Sequence, residues 1–325
     1  MPNNQSVIPA INRPRISVLP AQELGRADQP PSGAGATRPA PRPRPRQNRF
    51  QRYVRSPKGT LTLVFLPLLY LAGLSTGWSL VIPHVLAALA GACLLDLVIN
   101  AVARRSIAWP SSALLSGLIV AFVLGPIEPH SITFVVAALA TISKHVLKTR
   151  QGHIFNPAAL ALVLSVPIFG TGQSWWGALA NAPAFWLILL IAAGAFMLER
   201  LNKFPLALSF LGVYFGLFAF AGLVGPTHVA EMFRLPFVNA VFFLACFMLT
   251  DPPTSPGKLN DQLWFGGLVA IVAAVSQVEG VGQTYLLVGL LAGNLALASR
   301  RRLTQRSALA AARARGMGRA AQVAG

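Results

Sequence analysis

Ten apolar stretches follow one another along this chain, near residues 60–80, 81–103, 111–124, 131–147, 154–169, 183–198, 205–224, 237–249, 264–277 and 284–298. Backbone immersed in hydrocarbon must satisfy its own polar groups, so segments of this length are expected to be helices. A complete crossing needs roughly 20 residues, and four or five of the ten fall short of it. Those read as tilted, re-entrant or half-helices. Charged residues make up only 11% of the 325, against roughly 25% in an ordinary soluble domain. The expected fold class is an all-α polytopic membrane protein with about ten transmembrane segments.

Charge orients the segments. If all ten cross and the chain starts in the cytoplasm, every Lys and Arg except Arg234 falls on the inner side, out of 27. This is the positive-inside pattern, and it predicts both termini cytoplasmic. The net charge of +18 is thereby explained without a nucleic-acid partner. Three regions follow. Residues 1–59 form a basic arm rich in Pro and Arg, densest at 38–46, without the apolar periodicity of a folded core or the apolar run of a secretory signal. Such an arm is expected to be disordered, to enforce orientation and to touch anionic lipid, or else to bind a protein partner. Residues 60–299 form the membrane domain. Residues 300–325 form a second basic tail able to make a short surface helix.

The ten stretches divide into two sets of five, each with a short third member (111–124 and 237–249). An odd number of crossings per half makes the halves antiparallel, as in inverted-repeat folds whose sites lie between broken helices. Two polar joints mark those breaks: Gly152-His153-Ile154-Phe155-Asn156-Pro157-Ala158 and Thr250-Asp251-Pro252-Pro253-Thr254-Ser255-Pro256. Each places an amide or carboxylate beside proline, where a helix must end. Backbone freed at membrane depth survives only when buried in protein or lining a cavity. Asn156 and Asp251 therefore read either as caps of broken helices or as ligand-binding groups.

Other polar residues in the apolar stretches carry two readings each. Asp96, in the middle of the second stretch, either serves an ion or proton path or pairs with a basic residue near the cytoplasmic end. His84 reads as interfacial, and His145 beside Lys144 as part of a basic rim. His130 and His228 lie in outer loops with no second ligand at a metal-like spacing, so no metal site is expected. Cys93 and Cys246 read as small apolar fillers; two cysteines cannot supply the four thiolates of an iron–sulfur cluster. Trp175 and Trp176 read as outer interfacial anchors or as a stacking platform, and Gly212 with Gly216 as a helix-packing pair. No Walker loop, dinucleotide fingerprint, Cys-x-x-Cys pair or nucleophile triad is present, so no catalytic residue is assigned.

Ser112-Ala113-Leu114-Leu115-Ser116-Gly117-Leu118, Lys144, Phe155-Asn156-Pro157-Ala158 and Phe247-Met248-Leu249-Thr250-Asp251-Pro252 stand in an order and spacing that resembles the RnfD/NqrB family, over about residues 60–300. Members are membrane subunits of ion-motive electron-transfer complexes. The wording around the two joints is similar to a short branch that includes UnbU-like proteins. The resemblance implies two inverted five-helix repeats in a urea-transporter-like fold, residence in a bacterial-type plasma (inner) membrane, and partner redox or membrane subunits. It also implies a noncovalent flavin (riboflavin or FMN) or quinone near the cytoplasmic ends, with Asn156, Asp251, Thr250, His153 and Lys144 as its binding residues. Asparagine can donate and accept at a flavin edge, and a carboxylate can bind ribityl hydroxyls. The family's covalent FMN needs an Asp-x-x-Ser/Thr-x-Ala-Ser/Thr pattern between the fifth and sixth spans, and residues 170–181 lack it. Covalent FMN is therefore expected to be absent. His153 stands where the family often has Asn, and Lys148 and Thr149 where it often has Gly-Gly, which crowds and charges the turn. The reading from a different class is a transporter or channel for a small solute or ion that has lost redox function.

Overall fold

A cap and a proline open the first helix. The Ser56 hydroxyl accepts the Gly59 N–H at 3.1 Å, and Pro57 occupies the first turn, where its missing N–H costs nothing. Helix α1 (Pro57–Thr76) then runs to Gly77, whose φ of +100° turns the chain directly into α2 (Trp78–Val102). The computed structural model describes residues 53–103, 110–149, 152–225 and 228–324, with side chains to residue 307. Most of the basic arm, together with Arg104, Arg105 and Arg150, lies outside the described residues.

Nine helices follow α1 among the described residues: α2, then α3 (Ser111–Val123), α4 (His130–Val146), α5 (Pro157–Phe169), α6 (Trp186–Leu201), α7 (Phe204–Val224), α8 (Leu235–Phe243), α9 (Leu259–Val278) and α10 (Tyr285–Ala324). Helix α8 widens without a break into a π turn over Leu244–Met248. Four helices, α1, α2, α7 and α9, are long and apolar enough to cross a membrane; α3, α5 and Leu235–Met248 are apolar but shorter. Outward-facing residues are apolar as well: Leu63, Leu66 and Leu74 on α1, Ile82 and Leu86 on α2, Leu208 and Phe220 on α7, Ile271 and Val275 on α9. Helices apolar all round, on a surface this hydrophobic, suit lipid as the surrounding solvent. The chain is an all-α, membrane-embedded protein.

The first polar joint is a small hairpin. Strand β1 (Lys148–Thr149) pairs antiparallel with β2 (Gly152–His153), with Lys148 opposite His153. Just beyond this hairpin the Ile154 N–H donates to the Leu147 carbonyl at the end of α4, at 3.0 Å. The last apolar stretch and the basic tail are one continuous helix, α10, rather than a helix followed by a separate surface element.

Two helix pairs form the most extensive contacts, α2 with α4 and α7 with α9. Each is brought close by a glycine. A Cβ added at Gly91 would overlap the Phe134 carbonyl, and one at Gly266 the Leu206 carbonyl. Gly212 and Gly216 behave otherwise: both are exposed on α7 with open space where a Cβ would be, so they do not pack helices within this chain.

Three aromatic residues are corrected by the structure. His84 is fully buried rather than interfacial, with Nε2 3.2 Å from the Ala121 carbonyl and Nδ1 3.2 Å from the Thr133 hydroxyl. Trp175 and Trp176 are core residues, not interfacial anchors. Their indole N–H groups donate to the carbonyls of Gln283 (3.2 Å) and Ala121 (2.6 Å). Both carbonyls have partners only in the folded chain, so local sequence carries no sign of the burial.

Gly91→Val and Gly266→Val should each lower the thermal midpoint of the detergent-solubilised protein markedly, since overpacking against backbone costs about 1–3 kcal/mol or more. Gly216→Val, measured in the same scan, should leave it nearly unchanged. Equal effects of all three would contradict the packing described.

Candidate functional site between the two polar joints

The start of α5 and the turn after α8 meet in the middle of the molecule, and asparagines join them. Asn156 caps α5: its Oδ1 accepts the Ala159 N–H at 3.2 Å, while Nδ2 donates across to the Met248 carbonyl at 3.3 Å. The Asn156 backbone N–H donates to Asn294 Oδ1 on α10 at 2.8 Å, and Asn294 Nδ2 donates to the Thr254 carbonyl at 3.1 Å. Both asparagines are buried. The cap and the cross-link use most of the Asn156 amide, leaving one N–H for anything else. Asn294 was not singled out in the sequence. The one signal it offers is an amide inside the apolar run 284–298.

Beside this clamp lies a cavity of about 390 Å³, within the roughly 300–1,000 Å³ usual for small-molecule sites. Its apolar walls come from Leu115 and Ile119 of α3, Met197 and Leu201 of α6, and Phe247 of the π turn. Its polar groups are Ser112, Ser116, His153, Asn156, Thr250 and Asp251, with Lys58 at the exposed mouth. The two joints thus flank one space. Lys58, from the end of the basic arm, joins the wall through the packing of α1 alone.

The predicted site residues divide into three groups. Asn156, Thr250, Asp251 and His153 line the cavity. Lys144 stands one residue behind it, buried, its Nζ donating to the Ser112 hydroxyl at 3.3 Å. Asp96 is elsewhere: Oδ1 lies 3.1 Å from His145 Nε2, and Oδ2 accepts from Asn100 Nδ2 at 3.2 Å. The pairing reading of Asp96 therefore has a named partner, and Cys93 and Cys246 are free thiols on different helices. Among the described residues no three His, Cys, Asp or Glu side chains converge as a metal site would require.

Charge in the joints is shaped by burial. Burial pushes the Asp251 carboxyl up to about 6, against the opposing pull of the Thr254 hydroxyl, 3.3 Å away, and of Lys58, Lys144 and Lys203. His153 is held below its ordinary range by burial and by the Lys144 charge, while the Lys144 carbonyl accepts from its ring. Its Nδ1 has no partner among the described residues, so the neutral ring presents a lone pair. Burial, then the Arg301 charge, lowers Lys203, whose Nζ donates to the Pro256 carbonyl.

Chemically, this is an apolar slot edged by hydroxyls, one carboxyl and one lysine, suited to a flat or amphipathic molecule with polar edges. No protein-family model matches the chain. Fold and cavity together define the class: an all-α, membrane-embedded protein with a cavity of about 390 Å³ between two polar joints.

A raised carboxyl means the native state holds a proton that the unfolded chain has released between about pH 4 and 6. The Asp251 contribution to stability therefore falls as pH rises through that interval and is flat above it. Asp251→Asn should unfold at a higher temperature than the parent at pH 8, by up to about 3 kcal/mol. The difference should vanish near pH 4, read from thermal melts in detergent across pH.

Proposed function

We propose that this protein is an RnfD/NqrB-like integral membrane subunit of an electron-transport complex, holding a flavin or quinone noncovalently in the cavity between the two joints. The observation that carries this reading is the meeting of Asn156 and Asp251, from opposite halves of the chain, around one cavity of about 390 Å³. In this reading the ten helices are ten spans in two inverted five-helix repeats, with both termini cytoplasmic in a bacterial-type inner membrane. Supporting the repeat, the second and fourth helices of each half form the dominant pairs, the third of each half is short, and the fifth of each half bears one member of the asparagine pair.

The residues present fit such a ring. Leu115, Ile119 and Phe247 exclude water from its faces, the remaining Asn156 N–H and the Ser112 and Ser116 hydroxyls reach its edges, and Asp251 or Thr250 accepts from a hydroxylated tail. A bound flavin supplies one- and two-electron chemistry; the chain supplies the dry slot and the cations that favour a reduced, anionic ring. The absence of a covalent flavin is part of the proposal. Besides lacking the attachment pattern, the loop 170–181 keeps the Thr171 hydroxyl buried against Ser165 at 2.6 Å, and the segment Trp176–Ala178 is in the core.

One observation favours the alternative, a transporter or channel for a small solute or ion. The cavity opens at Pro57 and Lys58 and closes inward on Phe247, which packs with Phe65 and Phe243 at ring separations of 5.3 and 5.2 Å. A vestibule open on one side is also what one state of an alternating-access protein presents.

Protein purified in mild detergent should release flavin into the supernatant on acid precipitation. Asp251→Ala with Asn156→Ala should abolish this, as should Leu115→Trp, which fills the slot without touching the clamp. Flavin-free parent protein from flavin-replete cells would overturn the redox reading. For the transport reading, Leu115→Trp should slow solute or ion flux in proteoliposomes severalfold; unchanged flux would remove the cavity from the path, and flux lowered by Asp96→Asn instead would move the path to Asp96.

A further inference from the structure

A second, smaller cavity of about 150 Å³ lies on the far side of His153, where the apolar part of α10 gives way to arginine. That volume equals about five waters of liquid, enough for a tetrahedral oxyanion and the first atoms of its ester. Leu297 forms an apolar flank, and Arg301, Arg302, Gln305, Thr254 and His153 form the rest of the wall that matters.

The three consecutive arginines are not equivalent. Arg300 is neutralised by Asp261 at 2.8 Å and lies over the Trp264 ring, 5.2 Å from its centre. Arg301 is anchored instead by carbonyls, donating to Pro253 at 3.4 Å and Ser255 at 3.1 Å. These bonds aim the guanidinium while leaving its charge uncompensated, and three of its five N–H groups remain. Arg302 is exposed and has no carboxylate partner among the described residues. Two guanidinium groups facing one small cavity, one already oriented, form a recognition element for a phosphate. His153, which the two cavities share, closes the inner side.

We propose that this cavity is a binding site for a phosphate ester, with the phosphate on Arg301 and Arg302. The same chemistry is offered by the glycerol phosphate headgroup of an anionic phospholipid and by a soluble polyol phosphate. The site is separate from the larger cavity and does not depend on the redox reading.

The test uses full-length protein, delipidated in detergent or placed in nanodiscs. Phosphatidylglycerol in a phosphatidylcholine background and soluble glycerol 3-phosphate are the two probes, followed by native mass spectrometry and by thermal midpoint. Binding of one phosphatidylglycerol per chain, weakened at least fivefold by Arg302→Gln and left alone by Arg306→Gln, supports the site with lipid as its source. A midpoint shift with millimolar glycerol 3-phosphate, lost in Arg302→Gln, supports it with a soluble source. Arg302 makes no structural contact, so this variant separates binding from folding, which Arg301→Gln does not. Equal weakening by Arg306→Gln would reduce the effect to diffuse attraction by a basic helix and overturn the proposal. So would phosphatidylcholine bound as tightly as phosphatidylglycerol with no response to glycerol 3-phosphate.

Discussion

Interrupting a helix inside a membrane frees backbone groups that have no water to bond, and an unsatisfied buried group costs about 1–3 kcal/mol. Pro157 opens such an interruption before α5, and the π turn opens another after α8. The asparagine clamp closes both. Asn156 gives its Oδ1 to the α5 N-terminus and its Nδ2 to the Met248 carbonyl, and Asn294 ties the Asn156 backbone to the Thr254 carbonyl. The cavity exists because these helix ends are held by side chains instead of the space being filled with continuous helix. Cap and ligand site are therefore not competing descriptions of Asn156: capping consumes most of its amide, and the space it holds open is where a ligand fits.

The electrostatics follow the same geometry. Around the cavity one carboxyl, Asp251, feels the charges of Lys58, Lys144 and Lys203, while burial raises it to about 6. The surroundings are consequently positive, a condition that favours an anionic ligand or the reduced form of a ring. Asp96 belongs to a different circuit, with His145 and Asn100, and Asp261 to a third with Arg300. These three carboxyl groups thus act in separate places, and among the described residues Lys58 at the cavity mouth and Arg301 and Arg302 on α10 have no carboxylate partner.

Much of the architecture was legible in the residues. The ten apolar stretches coincide with ten helices, most ends shifting by only a few residues, because the hydrophobic run and the Pro, Gly and Ser at its limits act locally. Pro57 with Ser56, Gly77, and Asn156 with Pro157 each set an end through their own backbone preferences. The hairpin at Lys148–Thr149 and Gly152–His153 was not legible, since two-residue strands leave no periodicity. The burial of His84, Trp175 and Trp176 escaped for a related reason. An amphipathic ring next to a predicted membrane boundary looks the same whether its N–H meets lipid headgroups or a carbonyl of another helix.

Sequence by itself determined the solvent this chain is made for, the number and approximate limits of its helices, and the two positions at which they must break. Those properties depend on the transfer energy of each side chain and on torsional limits of single residues, which do not require knowledge of distant neighbours. Only the tertiary structure decided that both breaks open onto one cavity, that Lys58 and α3 complete its wall, that Asp96 is drawn to His145 instead, and that Arg301 is aimed by the Pro253 and Ser255 carbonyls. Each of these brings together residues far apart in the chain, and is set by how the helices pack against one another.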